Sequence, residues 1–127
     1  MGKTFLIDTN VILEFTSGLL PPNVNALLED ILDQSGFYIS IINRIEVLGH
    51  PSATQTLADF LDTAITYHLT NDVIEQTINI RKVKKIKLPD AVIAATAMFH
   101  GHSLITRNIK DFISIGNLEV IDPYNLS

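Results

Sequence analysis

The sequence predicts an α/β sandwich built around a mainly parallel sheet. Short apolar runs suited to buried strands alternate with stretches of helical periodicity along the whole chain. Glycine and proline punctuate the changes between them, and no internal repeat or low-complexity tract interrupts the alternation. The 127 residues are 46% hydrophobic and 18% charged, enough for a real core and too apolar for a disordered chain. The length suits one domain, 1–127.

Taken in order, residues 3–8 read as a strand ending on Asp8. Residues 10–16 form a short helix that stops near Gly18, with Pro21 and Pro22 beyond it. Val24, Leu27, Leu28, Ile31 and Leu32 give 23–34 the period of a helix, which Gly36 ends. Residues 37–42 are a second strand, and 43–48 a short helix stopped by Gly49 and Pro51. Ser52 looks like the cap of a further helix running to about Ala64. A brief strand follows at 67–69. Asn71 or its neighbour opens a helix whose end carries a basic run. Pro89 suits the first turn of the next helix, which contains Ala91, Val92, Ala94, Ala95 and Met98 and closes at Gly101. Strands are expected at 103–106 and 118–121.

Charge and composition narrow the function. No apolar run approaches the ~20 residues of a membrane helix, and the run 4–7 is too short for the core of a secretory signal. There is no cysteine, which excludes disulfides and thiolate metal sites. A soluble, cytoplasmic protein is expected. The net charge is −5, yet the bases are not spread evenly. Of the nine, Arg81, Lys82, Lys84, Lys85, Lys87, Arg107 and Lys110 crowd into one part of the chain. A helix C-terminus accounts for some of this run, because cations there offset the helix dipole. The histidines, His50, His68, His100 and His102, are scattered.

Asp8, Glu46, Asp90 and Asp111 carry the chemical interest. Taken singly, each has an ordinary explanation. Asp8 and Asp111 suit helix starts, Asp90 lies in a first turn where the dipole favours an acid, and Glu46 suits an exposed helical position. Together they form a pattern. At least three of these acids follow strands, and in an open parallel sheet the carboxyl ends of the strands form the ligand site. Carboxylates gathered there repel one another, and a divalent cation removes that cost. Oxygen-only ligands suit Mg²⁺ or Mn²⁺, ions that activate water and stabilise a phosphate leaving group.

Four segments resemble the motifs of PIN-domain nucleases, in the family order. Phe5-Leu6-Ile7-Asp8-Thr9-Asn10-Val11-Ile12-Leu13 is similar to the first. Ser40-Ile41-Ile42-Asn43-Arg44-Ile45-Glu46-Val47-Leu48-Gly49-His50 resembles the second. Leu88-Pro89-Asp90-Ala91-Val92-Ile93-Ala94-Ala95-Thr96-Ala97 resembles the third, and Leu104-Ile105-Thr106-Arg107-Asn108-Ile109-Lys110-Asp111-Phe112 the fourth. Length and composition most resemble the VapC-type ribonuclease toxins of VapBC toxin–antitoxin pairs.

The resemblance implies a PIN-like three-layer α/β/α sandwich and a Mg²⁺- or Mn²⁺-dependent endoribonuclease that hydrolyses RNA. It also implies the toxin role in a type II pair, an antitoxin partner and a homodimer. Asp8, Glu46, Asp90 and Asp111 would be catalytic and metal-binding. Thr9, Asn10, Thr106 and Asn108 would support them, with Asn108 an alternative to Asp111 as the fourth site residue. Arg81, Lys82, Lys84, Lys85, Lys87, Arg107 and Lys110 would contact the RNA backbone. Asn43 stands where many relatives carry a hydroxyl residue. The alternative function is a PIN-like domain that has lost catalysis and binds nucleic acid or protein; the retained, mutually repelling acids speak against it. Phosphohydrolases of the HAD type want an acid where Asn10 stands, and receiver domains want an acidic pair before the first strand.

Overall fold

A computed structural model describes residues 2–125. The elements run β1 (Phe5–Ile7), α1 (Thr9–Thr16), α2 (Pro22–Ser35), β2 (Tyr38–Ser40), α3 (Ile41–Leu48), α4 (Gln55–Leu61) and β3 (Ile65–Tyr67). They continue with α5 (Asn71–Val83), α6 (Leu88–His100), β4 (Ser103–Ile105), α7 (Ile109–Phe112), β5 (Val120–Ile121) and a 3-10 turn (Pro123–Asn125). The five strands pair in the order β3-β2-β1-β4-β5, and every pairing is parallel. The expected mainly parallel sheet is therefore wholly parallel.

Alternation along the strands builds the layers. Successive side chains of a strand point to opposite faces. Leu6 and Leu104 thus enter one core with Val73 and Ile80 of α5 and Ala91, Ala94 and Ala95 of α6. Ile7, Ile39 and Ile105 enter the other with Val11 and Ile12 of α1, Leu28 of α2, Val47 of α3 and Leu61 of α4. This is the three-layer α/β/α sandwich. Residues 91–97 of α6 are all buried, and their alanines let it lie close to the sheet and α5.

The strand order also creates the site. From β1 the chain steps outward to β2 and β3, then returns through α5 and α6 to place β4 on the other side of β1. The connections therefore reverse direction between β1 and β4, and a crevice opens at their carboxyl ends.

Several boundaries differ from the sequence reading. The second strand ends at Ser40 instead of continuing to Ile42. Ser40 Oγ accepts from Ile42 N at 3.0 Å, and this cap draws Ile41 and Ile42 into α3. Thr54, not Ser52, caps α4, accepting from Leu57 N at 3.2 Å. Ser52 is instead held in a turn by His50 Nδ1, at 2.7 Å from its hydroxyl. α4 ends at Leu61 rather than Ala64. β3 lies two residues before the expected 67–69, because Tyr38, Ile39 and Ser40 pair with Ile65, Thr66 and Tyr67. Only Arg81 and Lys82 of the basic run end α5; Lys84, Lys85 and Lys87 lie in the link to α6. Asp111 sits inside the single turn α7. Among the described residues no helix is long and apolar enough to cross a membrane.

Candidate active site

Asp8 immediately follows β1 and caps α1, so both ordinary and chemical readings of this residue meet here. Its backbone N donates to Ile105 O at 2.9 Å, fixing it against β4. The carboxylate is buried, 6% exposed, and collects three donors. Oδ1 accepts from Thr9 N at 2.9 Å and from Asn43 Nδ2 at 3.3 Å. Oδ2 accepts from Thr106 Oγ1 at 2.7 Å. Burial pushes the Asp8 carboxyl above its ordinary value, the three donors pull against that shift, and the nearby charge of Glu46 adds to it.

Glu46, on α3 after β2, is exposed but tied to the same network. Thr9 Oγ1 donates to Glu46 Oε1 at 2.6 Å. Asp90 opens α6 and has its carboxyl raised to about 6. Burial is the main cause, followed by the charges of Asp8, Asp111 and Glu46, with Lys87 opposing them. Asp111, on α7 after β4, accepts from Asn108 Nδ2 at 2.6 Å. Asn108 is in turn anchored through its backbone N to Thr106 Oγ1 at 3.0 Å. Asn10 Oδ1 accepts from Arg107 N at 3.3 Å, which ties α1 to the segment after β4.

The four acids thus come from four elements around the crevice, close enough for three of them to raise the fourth. Among the described residues no three acidic or histidine side chains converge tightly enough to enclose an ion as they stand. The donor set itself, carboxylate oxygens with amide and hydroxyl oxygens nearby, fits a hard divalent cation. His100 and His102 do not extend it. The His102 ring nitrogens meet Tyr67 OH and Thr4 Oγ1, and His100 stacks on Tyr67 with ring centres 3.6 Å apart.

The seven cations expected to contact RNA take three placements. Arg81, Lys84, Lys85, Lys87 and Lys110 line an open cleft of about 460 Å³ together with Ile86, Asp90 and Asp111. Lys82 faces a neighbouring hollow. Arg107 is engaged elsewhere: its guanidinium lies 3.3 Å from Glu14 Oε1 and from Asp122 Oδ1, and 3.5 Å from the centre of the Tyr124 ring.

Asn43 is the site residue that the sequence reading passed over, noting it only as a departure from a hydroxyl. It is wholly buried, and beyond its bond to Asp8 it donates to Thr9 Oγ1 at 3.1 Å and accepts from Ser40 N at 2.9 Å. Its spacing, three residues after a strand-ending serine and three before the acid, was the available signal.

Residues 5–118 match the family model of the PIN domain. The chain belongs to the PIN-domain family. This PIN-domain protein is 42% identical over 62 residues to Ribonuclease VapC1 of Rickettsia felis; the matched stretch covers 48% of this chain and 42% of that relative. Its fold is similar to a toxin–antitoxin complex from Klebsiella pneumoniae, with TM-score 0.76 and 32% identity over 95% of this chain and 98% of that one. The same TM-score of 0.76 links it to VapBC2 from Rickettsia felis bound to a promoter DNA fragment, at 23% identity over 93% of this chain and 97% of that one. DNA-bound VapBC from Salmonella typhimurium also gives 0.76, at 21% identity over 96% and 99% of the two chains.

Proposed function

We propose that this PIN-domain protein is a divalent-metal-dependent endoribonuclease, Mg²⁺ or Mn²⁺ being the ion, and the toxin of a type II toxin–antitoxin pair. The observation that supports this reading is that Asp8, Glu46 and Asp111 lie near enough for their charges to raise Asp90, beside a cationic cleft. Similarity to a protein named as a ribonuclease, and to chains from toxin–antitoxin complexes, supports it. One sheet with a core on each face supports reading 1–127 as a single nuclease unit.

Asp8 and Asp90 would hold the principal ion, with Glu46 and Asp111 acting directly or through water. A divalent ion held there would lower the pKa of a bound water and would stabilise charge on the departing oxygen. The protein's own part is electrostatic and positional. Thr9, Asn43 and Thr106 hold Asp8, Thr9 also holds Glu46, and Asn108 holds Asp111. The cleft cations Arg81, Lys84, Lys85, Lys87 and Lys110 would take successive phosphates and lead the RNA past Asp90 and Asp111. Phosphate contacts of this kind position a strand without reading bases. The toxin role implies a cytoplasmic protein, held by an antitoxin and paired as a homodimer.

The deciding experiment is RNA cleavage with Mg²⁺ or Mn²⁺, comparing wild type with Asp8→Asn and Asp90→Asn. Cleavage that requires the ion and is lost in both variants is expected. Metal-dependent cutting that survives both substitutions sinks the proposed site. Co-expression with the product of a small adjacent reading frame tests the partner, and light scattering tests the dimer.

A further inference from the structure

Asn43 lies on α3, one helical turn before Glu46, with its side chain sealed from solvent. A buried amide has one acceptor and two protons to satisfy, and here each has a partner. The atom facing the Ser40 N–H must be the carbonyl oxygen, since an N–H needs an acceptor. That fixes Nδ2 toward Asp8 Oδ1, 3.3 Å away, and Thr9 Oγ1, 3.1 Å away. Thr9, having accepted from Asn43, donates its own hydroxyl hydrogen bond to Glu46. One amide therefore joins the end of β2 to the Asp8 carboxylate directly and to Glu46 through Thr9.

We infer that Asn43 is a positioning residue for the cation site: it sets Asp8 and the Thr9–Glu46 pair in a fixed relation across the crevice. This rests on the nuclease reading above. No common replacement reproduces it. Serine has a single proton, which serves Asp8 or Thr9 but not both. Aspartate keeps the acceptor for Ser40 and offers no proton to either. Alanine leaves the Ser40 N–H and one Asp8 contact unmet. Partners that orient metal-binding side chains typically contribute about 10–100-fold to metal affinity.

The test titrates Mn²⁺ into the purified full chain without RNA, by calorimetry, for wild type, Asn43→Ala, Asn43→Ser and Ser40→Ala. The last is the control: it removes the cap of the same helix and leaves the Asp8 contacts in place. Asn43→Ala should weaken Mn²⁺ binding by about tenfold or more. Asn43→Ser should lose several-fold, and it carries the test if the alanine variant does not fold. Ser40→Ala should lower the melting temperature and leave Mn²⁺ affinity within about twofold, since the group it removes is not a partner of a metal-binding side chain. In RNA cleavage at saturating ion, Asn43→Ser should depress kcat more than it raises KM. Folded Asn43 variants that bind Mn²⁺ like wild type overturn the inference alone. A Ser40→Ala loss equal to that of Asn43→Ala overturns it too, by making the effect structural. A wild type that binds no Mn²⁺ overturns the inference together with the metal-dependent reading.

Discussion

The Thr106 hydroxyl donates a hydrogen bond to Asp8 Oδ2 at 2.7 Å, joining residues 98 positions apart at the ends of neighbouring strands. Both are buried, and the pairing of Leu6 with Leu104 and Ile7 with Ile105 brings them level. Thr106→Val keeps the shape and removes the proton. It leaves Asp8 Oδ2 and the Asn108 N–H short of a partner, at a cost of about 2 kcal/mol. For a chain of 127 residues that corresponds to a fall in Tm of roughly 8 °C. Mn²⁺ affinity should drop about tenfold as well. Thermal melts in EDTA and calorimetry check the two effects, and an unchanged variant on both counts denies Thr106 this role.

Asp90 is held in a place that costs stability. Its folded value of about 6 lies above its ordinary 3.8, so the penalty grows as pH rises between the two and is complete above them. The shift corresponds to at most about 3 kcal/mol, which solvent screening of this partly buried group reduces to about 1 kcal/mol. At pH 8 in EDTA, Asp90→Asn should therefore melt about 4 °C above wild type. Added Mn²⁺ should raise the wild type past the variant, since only the wild type keeps its full ligand set. A variant less stable than wild type in EDTA would show that burial and the neighbouring acids together do not penalise the Asp90 charge.

The sequence carries all five strands, six of the seven helices of the described residues, the layers and the order of the acids, because periodicity and chain order encode them directly; the single turn α7 is too short to show a period. What it hides is decided by competition between local signals. Ile41 and Ile42 look like strand, but the Ser40 cap claims them for a helix. Ser52 and Thr54 are equally good caps in sequence, and His50 removes Ser52 from the contest. Asn43 shows in sequence only as an amide in place of a hydroxyl, and its bond to Asp8 depends on the fold that buries it. Arg107 and the lysines look alike as cations. Only packing shows that one is engaged by Glu14, Asp122 and Tyr124 while others line the cleft.

Arg107 should consequently behave as a structural clamp. Its guanidinium bridges α1 and the C-terminal turn and stacks on Tyr124. Arg107→Lys keeps the charge but loses the planar fork and the stacking. It should cost about 1 kcal/mol, or roughly 4 °C in Tm, the size of one stacked and bridged cation. RNA affinity should change by less than about twofold, because the charge that phosphates sense is retained. A large loss of RNA affinity at unchanged Tm would return Arg107 to the backbone-contacting role expected from sequence.

The cleft lysines should show the opposite pattern. Lys85 and Lys110 line the cleft, whereas Lys82 lies outside it. The double variant Lys85→Glu/Lys110→Glu should weaken RNA binding about tenfold or more at low salt and flatten the salt dependence by about one to two phosphate contacts. Lys82→Glu should do neither to a comparable degree. Equal effects from all three positions would mean that net charge, not the cleft, governs binding.

The last expectation concerns pH and lies away from the acids. Burial lowers the pKa of His100, and burial with the neighbouring His100 charge lowers that of His102. Among the described residues the buried His100 Nε2 has no hydrogen-bond partner, so no acceptor there stabilises a proton on it. For a base with a depressed folded value, stability is fully present above the ordinary 6.5 and is lost as pH falls below it, because the unfolded chain takes up the proton first. The raised carboxyls of Asp8 and Asp90 work in the reverse sense in mildly acidic solution, so the wild-type curve alone mixes the two. The informative quantity is the stability gap between wild type and His100→Gln/His102→Gln, measured by denaturant unfolding from pH 8 to pH 5. Wild type should be the more stable at pH 8, where His102 keeps its contacts with Tyr67 and Thr4. The gap should narrow below pH 6.5 as only the wild type loses the histidine contribution. A gap that is constant across the range would mean that folding leaves the titration of both histidines unchanged.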